Sequence, residues 1–230
     1  MSKFKAHIRY LNEDGKRVPG VTTITGELGW SKRALINWSN RIGLDGTAVG
    51  KYVDDKASIG TLAHLKVTNQ LQGKKTNTDD YSANQIKAAR EAVKSFEAWA
   101  LDVKIEPILI EEPLVSEKYQ YGGTMDIFAK VDGVPTLIDL KTGKGIYEEH
   151  LVQVGGGYGL LLNEHKHNPE RLIILNIPRT KGEKFKVEEI INRQVCQDIF
   201  LNCLGTYKIK KNIRVLPEDD FGKWCKEVSD

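Results

Sequence analysis

Two aspartates and a lysine, Asp126, Asp139 and Lys141, flank the dipeptide Asp132-Gly133 in a stretch otherwise rich in β-forming residues. Asp-Gly suits the positive φ angles of a two-residue type I′ loop, so Thr124 to Lys130 and Thr136 to Lys141 read as the strands of a β-hairpin. With that loop Val131 faces Val134, and Asp126 lies opposite Asp139. Cross-strand Cβ atoms sit about 5 Å apart, and like charges directly opposite destabilise a sheet unless something lies between them. A divalent cation is the simplest such thing. A three-residue loop would instead slide the strands and separate the two carboxylates.

Alternation along the strands puts Lys141 on the face of Asp139, and Met125, Ile127, Ala129, Ile138 and Leu140 on the other. One face is apolar and can supply a core; the other holds two carboxylates and an ammonium. Hard oxygen ligands suit Mg²⁺ or Mn²⁺, which keep several waters and complete their shell with substrate phosphate. Metal-assisted phosphodiester hydrolysis is the chemistry such a set points to. The plainer reading, a solvated hairpin face carrying three charges, stays open on this stretch alone.

Further motifs carry a resemblance. Gly60-Thr61-Leu62-Ala63-His64, Gly123-Thr124-Met125-Asp126, Leu137-Ile138-Asp139-Leu140-Lys141-Thr142, then Gln153 and Tyr158, occur in that order. Together they resemble the core motifs of the RecB-like exonuclease group of the PD-(D/E)XK nucleases, over residues 55 to 160 and more loosely elsewhere. The second motif is Asp139-Leu140-Lys141, with Asp where many relatives have Glu. VPGVTTIT and LINW, before these motifs, are similar to the N-terminal region of some phage-borne members.

The resemblance implies an α/β fold with a mixed central sheet flanked by helices, of the restriction-endonuclease-like kind. It implies a metal-dependent DNA exonuclease acting at ends or on single strands. His64, Asp126 and Asp139 would hold one or two Mg²⁺ or Mn²⁺ ions, with the Leu140 carbonyl as a further ligand. Lys141 would orient the attacking water, and Gln153 would position the strand or Lys141. In the family Gln and Tyr are four apart; here Gln153 and Tyr158 are five apart, about 140° around an α-helix unless the glycines permit a bulge. Glu111 and Glu112 precede the hairpin in a β-rich segment, Ile105 to Val115. Adjacent strand residues point to opposite faces, so only one could line the site, and both stay outside the ligand set. Glu112 is the nearer match to the family.

The remaining segments must position these residues. A short hairpin around Asn12-Glu13-Asp14-Gly15 feeds Pro19 to Ile24, and Ser31 can cap a helix with Leu35, Trp38 and Ile42 on one stripe, ended by Gly43. Trp30 and Trp38 read as core. Helices are expected from Ser58 to Leu71 and from a Ser82–Gln85 capping box to Leu101, with a polar, mobile loop Gly73 to Asp80 between them. Glu148 to Glu164 reads as a helix weakened by Gly155, Gly156 and Gly157, whose presence suggests close backbone approach to a sheet or to DNA. Leu172 to Ile177 fits an interior strand, followed by a basic loop, Arg179 to Lys184. Glu188 to Lys208 reads as a helix with Ile191, Val195, Ile199 and Cys203 along one side, and the basic run Lys208 to Arg214 follows.

The 230 residues suffice for one well-buried domain, in which 1–57 form an N-terminal hairpin and helix, 58–178 the catalytic core and 179–230 a helical end. Apolar residues at 40% and charged residues at 28% are ordinary for a globular protein and argue against extensive disorder. The net charge of +3, from 34 basic and 31 acidic residues, leaves nucleic-acid binding to the distribution of charge. Cys196, Cys203 and Cys225 show no CxxC spacing and read as reduced thiols, too few for the four-cysteine iron-sulfur relatives. No apolar run reaches transmembrane length and the first residues lack a signal-peptide core, so a cytoplasmic place is expected, in the host if the protein is phage-encoded. DNA is the expected partner, with a recombination or replication protein as a second. A structure-specific endonuclease, or a nucleic-acid-binding module without catalysis, is the alternative on the same fold.

Overall fold

The computed structural model describes residues 8–180, 182–210 and 213. The β-hairpin is formed as expected. Asp132 and Gly133 have φ of +51° and +84°, as a type I′ turn requires, and Val131 pairs with Val134. The strands are β4, Tyr121–Val131, and β5, Val134–Lys141.

Strand β3, Ile105–Ser116, lies antiparallel outside β4, and β6, Arg171–Asn176, runs parallel to β5. Strand β7, Lys186–Glu189, closes the far edge, giving a five-stranded mixed sheet in the order β3-β4-β5-β6-β7. Pro107 and Pro113 are tolerated in β3 because it is an edge strand, where a missing amide costs no ladder bond on the open side. Strands β1, Tyr10–Leu11, and β2, Arg17–Val18, make a separate small hairpin.

Alternation along β5 and β6 divides the core in two. Leu137, Leu172 and Ile174 face one layer of helices; Ile138, Leu140, Ile173 and Leu175 face the other. The second layer holds α3, Val49–Leu71, and α4, Ala83–Ala100. Helix α4 starts at the expected capping box, with Ser82 accepting from the Gln85 amide, and buries Ala89, Val93 and Phe96. Each fully buried side chain of Phe96's size contributes on the order of 1.5–3 kcal/mol. The first layer holds α1, Val21–Thr25, a helical run over 148–164, and the C-terminal helix, Arg193–Lys210. The fold is therefore α/β, with a mixed central sheet flanked by helices.

Several expectations are corrected. The helix α2, Lys32–Leu44, has no buried residue; Trp30 is 49% exposed, and Trp38 stacks edge-on against Tyr52 at 5.7 Å instead of entering the core. From this region Val21 and Ile24 of α1 enter the core instead. Ser31 gives its hydroxyl to Glu149, at 2.8 Å, and not to the helix it precedes. Ile191 is 87% exposed and Val195 is exposed, because 186–189 pair with β6 as a strand and the helix begins only at Arg193; its buried side is Cys196, Phe200, Cys203 and Leu204. Loop 73–80 is tied down by a hydrogen bond from Asn69 to Thr76. Of the basic run, Lys208 donates to the Tyr119 carbonyl and Lys210 pairs with Glu27, so neither is free to track phosphate. Lys181, Lys211, Arg214 and Cys225 lie outside the described residues.

Candidate metal centre

The β4–β5 ladder runs from Val131–Val134 to Ile127–Ile138, and there the backbone pairing stops. At the next position the Asp126 side chain replaces the missing bond: its Oδ2 accepts the Leu140 amide at 2.7 Å. In an extended strand a residue's carbonyl leaves on the same side as its amide, so the Leu140 carbonyl is also directed toward this gap. Alternation slips at the same point. Met125 joins the core cluster opposite to that of Ile127 and Ala129, and so does not share their face as the sequence pattern predicts.

The break is matched on the outer strand. Ile110 pairs with Ile127 and Glu112 with Met125, which leaves Glu111 across from Asp126, with a φ of +52°. That left-handed conformation is uncommon for a residue with a side chain and marks a local departure from the strand. It turns Glu111 toward Asp126, while Glu112 stays outside.

Helix α3 supplies the third group. Its Gly60 meets the end of β5 so closely that an added Cβ would lie 2.7 Å from Thr142 Oγ1. Arg179, held by Glu183 at 3.0 Å, donates to the Lys56 carbonyl of the same helix at 3.4 Å. So placed, α3 brings His64 Nδ1 to 3.5 Å from Asp126 Oδ1. One ligand atom from each of His64, Glu111 and Asp126 lies within 4.8 Å of the others.

Asp139 and Lys141 stand beside this group on β5. Lys141 Nζ lies 2.7 Å from Asp139 Oδ2, in a residue only 2% exposed. Burial pushes the Asp139 carboxyl up to about 6, with Lys141 offsetting part of the rise and Asp126 adding to it. Burial of its carboxylate and then the charge of Asp126 push Glu111 up to about 7, although the residue as a whole is exposed. Burial opposes ionisation of Asp126 and His64 too, but here their mutual attraction wins: the acid is held below its ordinary value and the imidazole above its own.

Three carboxylates thus share a region with too little positive charge. Acids pushed up by burial and, beyond it, by the charge of Asp126 are what a hard divalent cation relieves, and the donor set of carboxylate oxygens with one imidazole suits Mg²⁺ or Mn²⁺. The residues present fit such an ion.

The helical run on the other side of the sheet reconciles Gln153 with Tyr158. Helix α5, Glu148–Leu151, passes into a π-helical turn, Val152–Tyr158, and then into α6, Gly159–Glu164. A π-turn bonds i to i+5, so residues five apart come onto one face, and Gln153 Nε2 donates to Tyr158 Oη at 3.0 Å. Burial first, then the charges of Asp139 and Asp126, hold the Tyr158 phenol well above its ordinary range. The three glycines do permit close approach, but to helices and not to a sheet: a Cβ on Gly156 would lie 2.5 Å from the Cys196 carbonyl oxygen of the C-terminal helix, and one on Gly157 2.5 Å from Val21 of α1.

Of the residues singled out in the sequence, His64 and Asp126 come together, Asp139 and Lys141 pair at their side, Leu140 holds Asp126 through its amide, and Gln153 anchors Tyr158. Glu111 is the member that sequence reasoning left out. Its signal was the register of β3 against β4, which the sequence does not reveal.

No family model matches the chain, and no curated protein matches it. Among solved structures it is similar to a protein from Eubacterium rectale named “Putative exonuclease”, at 12% identity and a TM-score of 0.45, over 70% of this chain and 76% of that one. It is also similar to a protein named SSO0001, at 12% identity and a TM-score of 0.40, over 87% of this chain and 79% of that one. No helix among the described residues is long and apolar enough to cross a membrane.

Proposed function

We propose that this protein is a Mg²⁺- or Mn²⁺-dependent deoxyribonuclease of the PD-(D/E)XK type, a RecB-like exonuclease acting at DNA ends or on single strands. The observation that carries the reading is the break between β4 and β5, where Asp126, His64 and Glu111 share one small volume beside the Asp139–Lys141 pair. His64, Asp126, Asp139 and Glu111 would hold the ion, with the Leu140 carbonyl as a further oxygen. When bound, the ion supplies Lewis acidity toward a phosphodiester.

The chain's own groups do the rest. The Leu140 amide fixes the Asp126 carboxylate, so its orientation is set before substrate arrives. The Lys141 ammonium leaves Asp139 to donate to the attacking water and to the phosphate oxygens as their charge grows. Gln153, steadied by Tyr158, positions the strand or the Lys141 side chain. On this reading the working partners are DNA and a recombination or replication protein, and the place of action is the cytoplasm.

A time course on end-labelled linear and covalently closed DNA, with and without Mg²⁺ or Mn²⁺, tests the reading. Metal-dependent loss of linear substrate with closed circles left intact is expected. Cutting of closed circles would make the protein an endonuclease, and binding without cleavage would make it a module without catalysis.

A further inference from the structure

A groove of about 610 Å³ opens between α3, α4 and the loop that joins them, away from the metal centre. Five cations line it, Lys66, Lys74, Lys75, Arg90 and Lys94, against one carboxylate, Glu97. Lys94 is already engaged with Glu91 at 2.8 Å; among the described residues no ion pair involves the other four. In a chain whose net charge is only +3, this is a strong local excess. Helices α3 and α4 run in the same direction, with Gln85 bonded to Asp55 near their starts, so the connecting loop must return past both and builds the groove's outer wall. Loop residue Thr76 is held by Asn69, and Val93 is buried against the core below. The cations therefore border an open groove with a fixed floor and outer wall.

We infer that this groove is an exosite for the phosphate backbone of nucleic acid, holding the substrate several nucleotides from the bond that is cut; the inference rests on the nuclease reading. No aromatic side chain lines the groove, so it can grip phosphates without reading or stacking bases. Lys66 follows His64 by two residues, which places it about 200° around α3, on the side turned from the metal centre. A strand joining the two must pass half-way around a helix about 10–12 Å across, so several nucleotides separate the groove from the bond that is cut. Substrates shorter than that reach the centre alone.

The test uses the full chain with Lys74, Lys75 and Arg90 all changed to Ala, exposed positions whose loss leaves the core untouched. A control triple carries Lys16→Ala, Lys104→Ala and Lys130→Ala. Affinity for single-stranded DNA of about 20 nucleotides is measured in EDTA across a salt series, and turnover of bis(p-nitrophenyl) phosphate is measured with Mn²⁺. The groove variant should bind DNA on the order of tenfold more weakly at low salt, with a log–log salt slope shallower by about 2, since each lost contact to a single strand removes about 0.7. Its turnover of the small diester should match wild type. DNA affinity and slope equal to those of the control triple would overturn the exosite. Wild type that binds DNA but cleaves neither substrate would overturn the nuclease reading instead, leaving the binding comparison to judge the groove.

Discussion

Asp139→Asn should make the metal-free protein more stable while removing its activity. In the fold Asp139 is buried with Lys141 Nζ 2.7 Å from its Oδ2, and burial still pushes the carboxyl up to about 6. An acid whose folded pKa lies above its unfolded one imposes a cost that is absent below about pH 4, where both states hold the proton, and complete above about pH 6, where neither does. The gap between those values corresponds to on the order of 3 kcal/mol, with the attraction to Lys141 already included. Asn mimics the protonated acid in shape and removes that cost. For a chain of this size the gain corresponds to a rise in Tm of up to about 6 to 12 °C at pH 8. Thermal melts of both proteins in EDTA at pH 4.5 and pH 8 are the assay. The variant should be the more stable at pH 8, with the difference shrinking toward pH 4.5; adding Mn²⁺ should stabilise wild type more than the variant. A variant no more stable than wild type at pH 8 would refute the view that this carboxylate is held at a cost.

Lys141→Ala should lower turnover by at least about 100-fold, the scale of one lost electrostatic stabiliser, while Mn²⁺ still raises the melting temperature; near-normal rates would make Lys141 a plain strand residue. Glu111→Gln and His64→Ala should each weaken Mn²⁺ binding by about 10- to 100-fold in calorimetry, without the loss of about 2 to 5 kcal/mol that emptying a core position brings. Because Glu111 and Asp139 must give up protons titrating at about 7 and about 6, Mn²⁺ affinity should fall as pH drops from 8 to 5, which a pH series would show. Gly156→Ala should destabilise by about 1 to 3 kcal/mol in denaturant melts, since its Cβ would meet the Cys196 carbonyl and Phe200.

The hairpin was legible because its turn is decided by two adjacent residues, and from Asp132-Gly133 the register of β4 against β5 follows without further information. The capping box of α4 and the strand β6 were equally local. What escaped was set by packing. Helix α2 has the stripe of a buried helix and remains exposed, while Val21 and Ile24 of α1 enter the core. Residues 186–189 became a strand through pairing with β6, which shifted the buried side of the C-terminal helix. The five-residue spacing of Gln153 and Tyr158 hinted at a bulge; the π-turn that answers it depends on a neighbouring helix packing against bare glycine backbone. Glu111 could not be chosen over Glu112 until the β3–β4 register was known, and its φ of +52° belongs to no sequence pattern.

The central claim concerns where a divalent cation binds, and a crystal structure with Mn²⁺ located by its anomalous scattering tests it directly. The ion is expected among His64 and the carboxylates of Glu111 and Asp126, with the Asp139 carboxylate turned from Lys141 to join them. Mn²⁺ bound elsewhere, or a site that stays empty at saturating metal with Asp139 still paired to Lys141, would contradict it.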